Sequence, residues 1–177
     1  APFFDGANDY VDVFTATLDA AFNGATGTMM IWAKVFNAGV WTDATARYPI
    51  RLLDDANNSY DVNKQLVNDS YRHQFEAGAG AVAINDNPYS GTDWIQMVST
   101  WSDGANDDEA KAFRNGAQIG ATSAALNNWT GGGLDLTATI IGASTTGPAN
   151  VWHGWLAHGA VWDRVLTPGE IATLAGV

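Results

Sequence analysis

The chain holds three glutamates, Glu76, Glu109 and Glu170. Acid–base cleavage of a glycosidic bond needs two carboxyl groups at a fixed separation, one as acid and one as nucleophile or base. No glutamate has an aspartate two residues on, and the aspartate pairs Asp54/Asp55 and Asp107/Asp108 are adjacent. Adjacent side chains on a strand point to opposite faces, and in a turn they are solvated. Ser70 and Ser99 lack the Gly-x-Ser-x-Gly setting of an activated nucleophile, and the chain has no cysteine. His153 and His158 flank Gly154-Trp155 with no third nitrogen or sulfur ligand nearby, so zinc is not expected. The densest set of oxygen ligands is Asp103-Gly104-Ala105-Asn106-Asp107-Asp108-Glu109. Calcium is the ion that such a set suits, through Asp103, Asn106, Asp107 and Asp108, although the glycine is misplaced for an EF-hand loop. The competing reading is an acidic hairpin tip in water. Sugar rings pack their C–H faces on indole or phenol rings while hydroxyls meet Asp and Asn. Trp41, Trp129 and Tyr89 sit in loop-like surroundings and are the stacking candidates, whereas Trp32, Trp94, Trp101, Trp155 and Trp162 lie in strand patterns and are expected in the core.

The elements that carry these residues read as strands. Thr28 to Val35 forms a run with one well-buried face after the break at Gly24 to Gly27. Tyr48, Ile50 and Leu52 alternate with Arg51, then Asp54 to Ser59 supplies turn residues before Tyr60 and Val62, a hairpin. Tyr71, His73 and Phe75 alternate with Arg72, Gln74 and Glu76, with Ala81 to Ile84 as hairpin partner through Gly78 to Gly80. Further strands run from Trp94 to Ser102, up to the Asn115-Gly116 turn, and from Leu136 to Ile141. Helical spacing is confined to the end: Thr167 is an N-cap, Pro168 a first helical residue and Glu170 the reciprocal capping carboxylate, with Ile171, Leu174 and Val177 on one stripe.

Lys and Arg total 8 against 19 Asp and Glu, a net charge of −11. That balance repels phosphate backbones and anionic lipid, so nucleic acid is not an expected partner. No apolar run approaches the roughly 18 residues of a membrane-spanning helix, so membrane insertion is not expected. With no cysteine, disulfides and thiolate metal sites are excluded and the redox compartment stays open. A length of 177 residues without repeats or linkers reads as one domain over residues 1–177. Its Gly, Asn and Asp clusters at short intervals make it all-β.

Phe3-Phe4-Asp5-Gly6-Ala7-Asn8-Asp9-Tyr10-Val11 at one end and Gly154-Trp155-Leu156 running into Val161-Trp162-Asp163-Arg164-Val165-Leu166-Thr167-Pro168-Gly169-Glu170-Ile171 at the other resemble the opening and closing segments of laminin-G-like, concanavalin A-like jelly rolls. The resemblance implies a two-sheet antiparallel jelly-roll sandwich with a short C-terminal helix, in which those two segments are neighbours in space. It also implies a structural turn role for Asp5 and Asp9, and calcium at the sheet rim in some relatives. The related laminarinase-type hydrolases carry Glu-x-Asp-x-x-Glu on one strand, which this chain lacks, so no catalysis is expected and a glycoside hydrolase is the remote alternative. The family's acidic pair after Gly-x-Leu is replaced by Ala157-His158. The tail resembles phage-encoded copies of the domain. With the freestanding length and the absence of a visible signal peptide, it makes a bacteriophage virion structural or decoration protein the leading expectation. Its partners would be other virion proteins or cell-surface glycans, its location the virion surface or the extracellular space, and its assembly state open to a homo-oligomer. The alternative is a carbohydrate-binding, lectin-like adhesion module of an extracellular protein.

Overall fold

The structure is a computed structural model that describes residues 1–65, 70–78 and 80–176. In chain order its elements are β1 (Phe3–Asp5), β2 (Val11–Asp12), α1 (Ala16–Ala21), β3 (Thr26–Val35), α2 (Gly39–Thr42), β4 (Arg47–Asp55), β5 (Asn58–Lys64), β6 (Tyr71–Ala77), β7 (Gly80–Asp86), β8 (Ile95–Ser102), β9 (Glu109–Arg114), β10 (Ala117–Ser123), β11 (Ile140–Ile141), β12 (His153–Trp162) and α3 (Pro168–Ala175). The strands form two six-stranded sheets, ordered β1-β12-β3-β8-β9-β10 and β2-β11-β4-β5-β6-β7. All pairings are antiparallel. This is the jelly-roll sandwich that the terminal segments imply, and those segments pair directly, Phe3 opposite Trp155 and Asp5 opposite His153. Asp5 and Asp9 act as turn residues: Asp9 accepts from the Asp5 N–H at 2.7 Å and Asp5 from the Ala7 N–H at 2.8 Å.

Strand alternation builds the core between the sheets. Met29, Ile31, Ala33 and Val35 of β3, Met97 and Trp101 of β8 and Leu156 of β12 meet Ile50, Leu52, Tyr60, Val62 and Phe75 from the second sheet. His73 also points inward, its Nδ1 2.7 Å from the Ser99 hydroxyl across the sandwich. The outer face of the first sheet is apolar as well, because α3 lies on part of it: Leu166 and Ile171 pack with Met30, Val98 and Phe113. The expected capping box is present, with Thr167 Oγ1 accepting from Glu170 N and the Glu170 carboxylate from Thr167 N. Ile171 is buried and Leu174 exposed; Val177, like Ala79 of the Gly78 to Gly80 turn, lies outside the described residues.

Candidate functional site

Trp41 is not a ligand platform. It is 1% exposed, on the short helix α2, with its indole N–H donating to the Gly91 carbonyl at 2.8 Å and its ring packed against Tyr71, Tyr89 and Trp152. Tyr89 is half-buried beside it and lies under the Arg114 guanidinium, 5.1 Å from the ring centre. Trp129 packs elsewhere on the same core, half-buried on Tyr60 and Phe22. Its ring closes so tightly over Gly24 that a Cβ there would sit 2.2 Å from the indole, so only glycine permits the lid. The three stacking candidates therefore do not form one surface.

The calcium cluster is likewise a fastening. Asp103, itself buried, accepts from the N–H of Ala105 at 3.1 Å, the Asn106 amide at 2.7 Å and the N–H of Trp129 at 2.9 Å. Asp108 accepts from the Leu126 N–H at 2.7 Å, and the Asp107 N–H donates to the Ser102 hydroxyl. Both Asp103 oxygens and one of Asp108 are thus occupied by N–H donors, and among the described residues no three His, Cys, Asp or Glu side chains converge as metal ligands. The turn ties the β8–β9 hairpin to the segment bearing Trp129.

Two outward faces do present side chains that a ligand can meet. On the second sheet, Tyr60 and Val62 turn into the core, so Ser59, Asp61 and Asn63 face outward from β5. Register places Arg51 opposite Asp61, Asp61 opposite Gln74, Ser59 opposite Glu76 and Asn63 opposite Arg72. Hydrogen bonds join these groups in two sets, one around Asn63 and one around Glu76. Asn63 donates to Asp61, Arg72 to Asn63 at 3.0 Å, Ser59 to Glu76 at 3.1 Å and Gln74 to Glu76. Arg51 donates to the Ser144 carbonyl at 3.0 Å and lies 5.6 Å from the centre of the half-buried Tyr48 ring. Asp61 is only 3% exposed, and burial pushes its carboxyl up to about 6 against the pull of Asn63, Arg51 and Arg72. Arg51, Arg72, Gln74 and Glu76 are half-buried and stand over this floor.

On the first sheet the outer face is aromatic. Phe36 and Phe3 are 51% and 43% exposed. They gather with His153 and Trp155: Phe36 stacks on His153 at 4.9 Å, and Phe3 lies 4.9 Å from Trp155. The Lys34 ammonium sits over the Trp155 ring, 5.8 Å from its centre. Alongside runs an open groove of about 900 Å³ lined by Pro2, Met30, Trp32, Trp94, Ala157, His158 and Leu174. Trp32, Trp94, Trp155 and Trp162, expected in the core, are half-buried on this face, because each alternates with a core residue: Trp32 with Ile31 and Ala33, Trp155 with Leu156.

The chain matches the model of the concanavalin A-like lectin/glucanase superfamily over residues 5–172. It belongs to that superfamily. Among solved structures it is similar to the carbohydrate-binding module (CBM40) of a Ruminococcus gnavus sialidase, 16% identical, with a TM-score of 0.65 over 95% of this chain and 92% of that one. A heptameric pentraxin from Limulus polyphemus is 19% identical, TM-score 0.61, over 85% of this chain and 70% of that one. Domain 4 of an extracellular arabinanase from Geobacillus stearothermophilus, in complex with arabinotriose, is 12% identical, TM-score 0.63, over 89% and 69%. No curated protein matches the chain. At these identities the likeness establishes the shared fold. No helix among the described residues is long and apolar enough to cross a membrane.

The polar face of the second sheet had a signal in the sequence: Arg72, Gln74 and Glu76 alternate with Tyr71, His73 and Phe75. Its partners on β4 and β5 were hidden, because pairing Arg51, Asp61 and Gln74 across three strands requires the register.

Proposed function

We propose that the chain is a non-catalytic, extracellular glycan-binding module whose sugar site is the polar outer face of the second sheet. The observation that carries this reading is the row of hydrogen-bonding side chains, Arg51, Asp61, Asn63, Arg72, Gln74 and Glu76, on three adjacent central strands, with the Tyr48 ring beside Arg51. Guanidinium and amide donors interleaved with carboxylate acceptors suit the paired donor and acceptor character of sugar hydroxyls. Asp61 and Glu76 are the two carboxylates in this row. They are held by Asn63, Ser59 and Gln74, and Asp61 has almost no surface of its own. A glycan array probed with the wild-type chain and with Arg72→Ala and Gln74→Ala tests the reading. Binding to a defined glycan set, lost in both variants at unchanged melting temperature, is the expected result; equal signals in all three, or release of reducing sugar by the pure wild type, would refute it.

A second reading, a protein displayed on a bacteriophage particle and acting through protein or host-surface contacts, draws on the exposed rings of Phe3 and Phe36. Exposed apolar surface of this kind is common where proteins meet. Recovery of the chain from purified particles, with loss of incorporation in Phe36→Ser, supports it; normal incorporation of that variant removes the part assigned to the rings.

A further inference from the structure

We propose that the aromatic groove on the outer face of the first sheet is a second carbohydrate site, for neutral oligosaccharides stacked along Trp155, Trp32 and Trp94. The choice of ligand class rests on the glycan-binding reading above; the place and the residues are independent of it. From Met30 to Phe36, just past the end of β3, the chain takes six steps, about 20 Å at strand rise. Trp155 stands opposite Lys34, Ala157 opposite Trp32, and Trp32 opposite Gln96, one residue past Ile95, which Trp94 precedes. Trp32 and Trp94 line the groove itself, and Trp155, with Lys34 over one side of its ring, continues the same face beyond the groove's lining. Pro2 and Leu174 border the groove. At its edge the register of β12 shifts between Ala157 and Ala160, and His158 takes a φ of 50°. That irregularity turns an exposed imidazole to the groove.

Charge and unspent donors decide the occupant. No carboxylate lines the groove among the described residues, and Lys34 forms no ion pair with any of them, in a chain of net charge −11. The buried indoles of Trp41 and Trp101 donate to the carbonyls of Gly91 and Asn23, whereas those of Trp32, Trp94 and Trp155 donate to no described protein atom. A row of ring faces with free N–H donors, a free ammonium and an imidazole matches a ligand with an apolar face and acceptor hydroxyls at its edge. A second copy fits worse: it would bring two bodies of charge −11 together.

The test is a titration of the whole chain with cellohexaose, xylohexaose and maltohexaose, followed by tryptophan emission, with native mass measured alongside. The expected result is a saturable blue shift with at least one of them, kept in Arg72→Ala and weakened about tenfold or more in Trp155→Ala and Trp94→Ala, the size of one lost aromatic contact. An unchanged melting temperature in both tryptophan variants controls for folding. No saturable shift with any hexaose overturns the proposal, as does a shift that survives both tryptophan variants. A dimer in the wild type that becomes monomeric in Trp155→Ala also overturns it, in favour of a second copy. Array binding lost in Arg72→Ala with no shift from any hexaose leaves the polar-face reading standing and this one refuted.

Discussion

Two buried titratable residues set opposing pH dependences. Burial raises the Asp61 carboxyl from an ordinary 3.8 to about 6. Between those values the folded chain holds a proton that the unfolded chain has released, so stability falls as pH rises through the window and stays lower above it. Burial lowers the His73 imidazole from 6.5 to about 3. There the unfolded chain binds the proton that the folded chain refuses, so stability at neutral pH is full and is lost as pH falls below 6.5. Near pH 5 the two slopes cancel, each being about one proton. Asp61→Asn keeps an acceptor for Asn63 and removes one slope. Its advantage over the wild type should be small near pH 4 and grow to as much as about 3 kcal/mol at neutral pH, the worth of about two pKa units. Urea unfolding at both pH values measures it; an advantage that is the same at both contradicts a raised Asp61. The same variant reports on binding, because it removes from the polar face the charge that Asp61 gains only above about 6.

At the scale of elements, α3 and the Asp103 turn each hold a long-range contact by local chemistry. Ile171 is fully buried between α3 and the first sheet, so Ile171→Ala should cost about 2–5 kcal/mol, while Thr167→Ala, which breaks the capping box, should cost about 1 kcal/mol. Both are read from chemical denaturation, and the reverse order would mean that the helix is held by its cap rather than by its packing. Capping is written within four residues, which is why α3 was legible in Thr167, Pro168 and Glu170, and the pairing of β1 with β12 was legible in the terminal motifs. The tryptophans were not. Met29-Met30-Ile31-Trp32-Ala33 is apolar on both faces because α3 covers part of the outer one, so alternation could not say which side is core. Trp41 looked like a loop residue because the Tyr71, Tyr89 and Trp152 rings that bury it come from distant segments. The Asp103 cluster looked like a cation site for a related reason: Asp and Asn serve equally as metal ligands and as acceptors for backbone N–H groups, and the N–H groups of Leu126 and Trp129 arrive from another loop. Asp103→Ala should therefore destabilise the chain and leave its melting temperature as insensitive to calcium as that of the wild type. A calcium-dependent rise in the wild type, absent from the variant, would restore the cation site.

The molecule as a whole sets a field around both faces. A net charge of −11 on 177 residues repels polyanions at long range, while the two candidate faces carry three of the eight basic side chains: Arg51 and Arg72 on one, Lys34 on the other. An acidic glycan would have to cross that repulsion before meeting the arginines, so its affinity should rise as salt screens the approach, the opposite of the behaviour of a basic protein on a polyanion. A neutral glycan feels neither effect. Stacking and hydroxyl hydrogen bonds lose little to ions, because the contacts lie well within a Debye length of about 10 Å at 0.1 M salt. The proposal of neutral sugars on the aromatic groove therefore predicts a dissociation constant that changes by less than about twofold between about 0.05 M and about 0.5 M sodium chloride. Titration of Arg72→Ala with the best hexaose at both salts isolates the groove from the polar face. Because the hexaose carries no charge, a larger change in either direction would mean that its binding is not the stacking and hydroxyl contact assigned to the groove, and would count against the tryptophans as its platform.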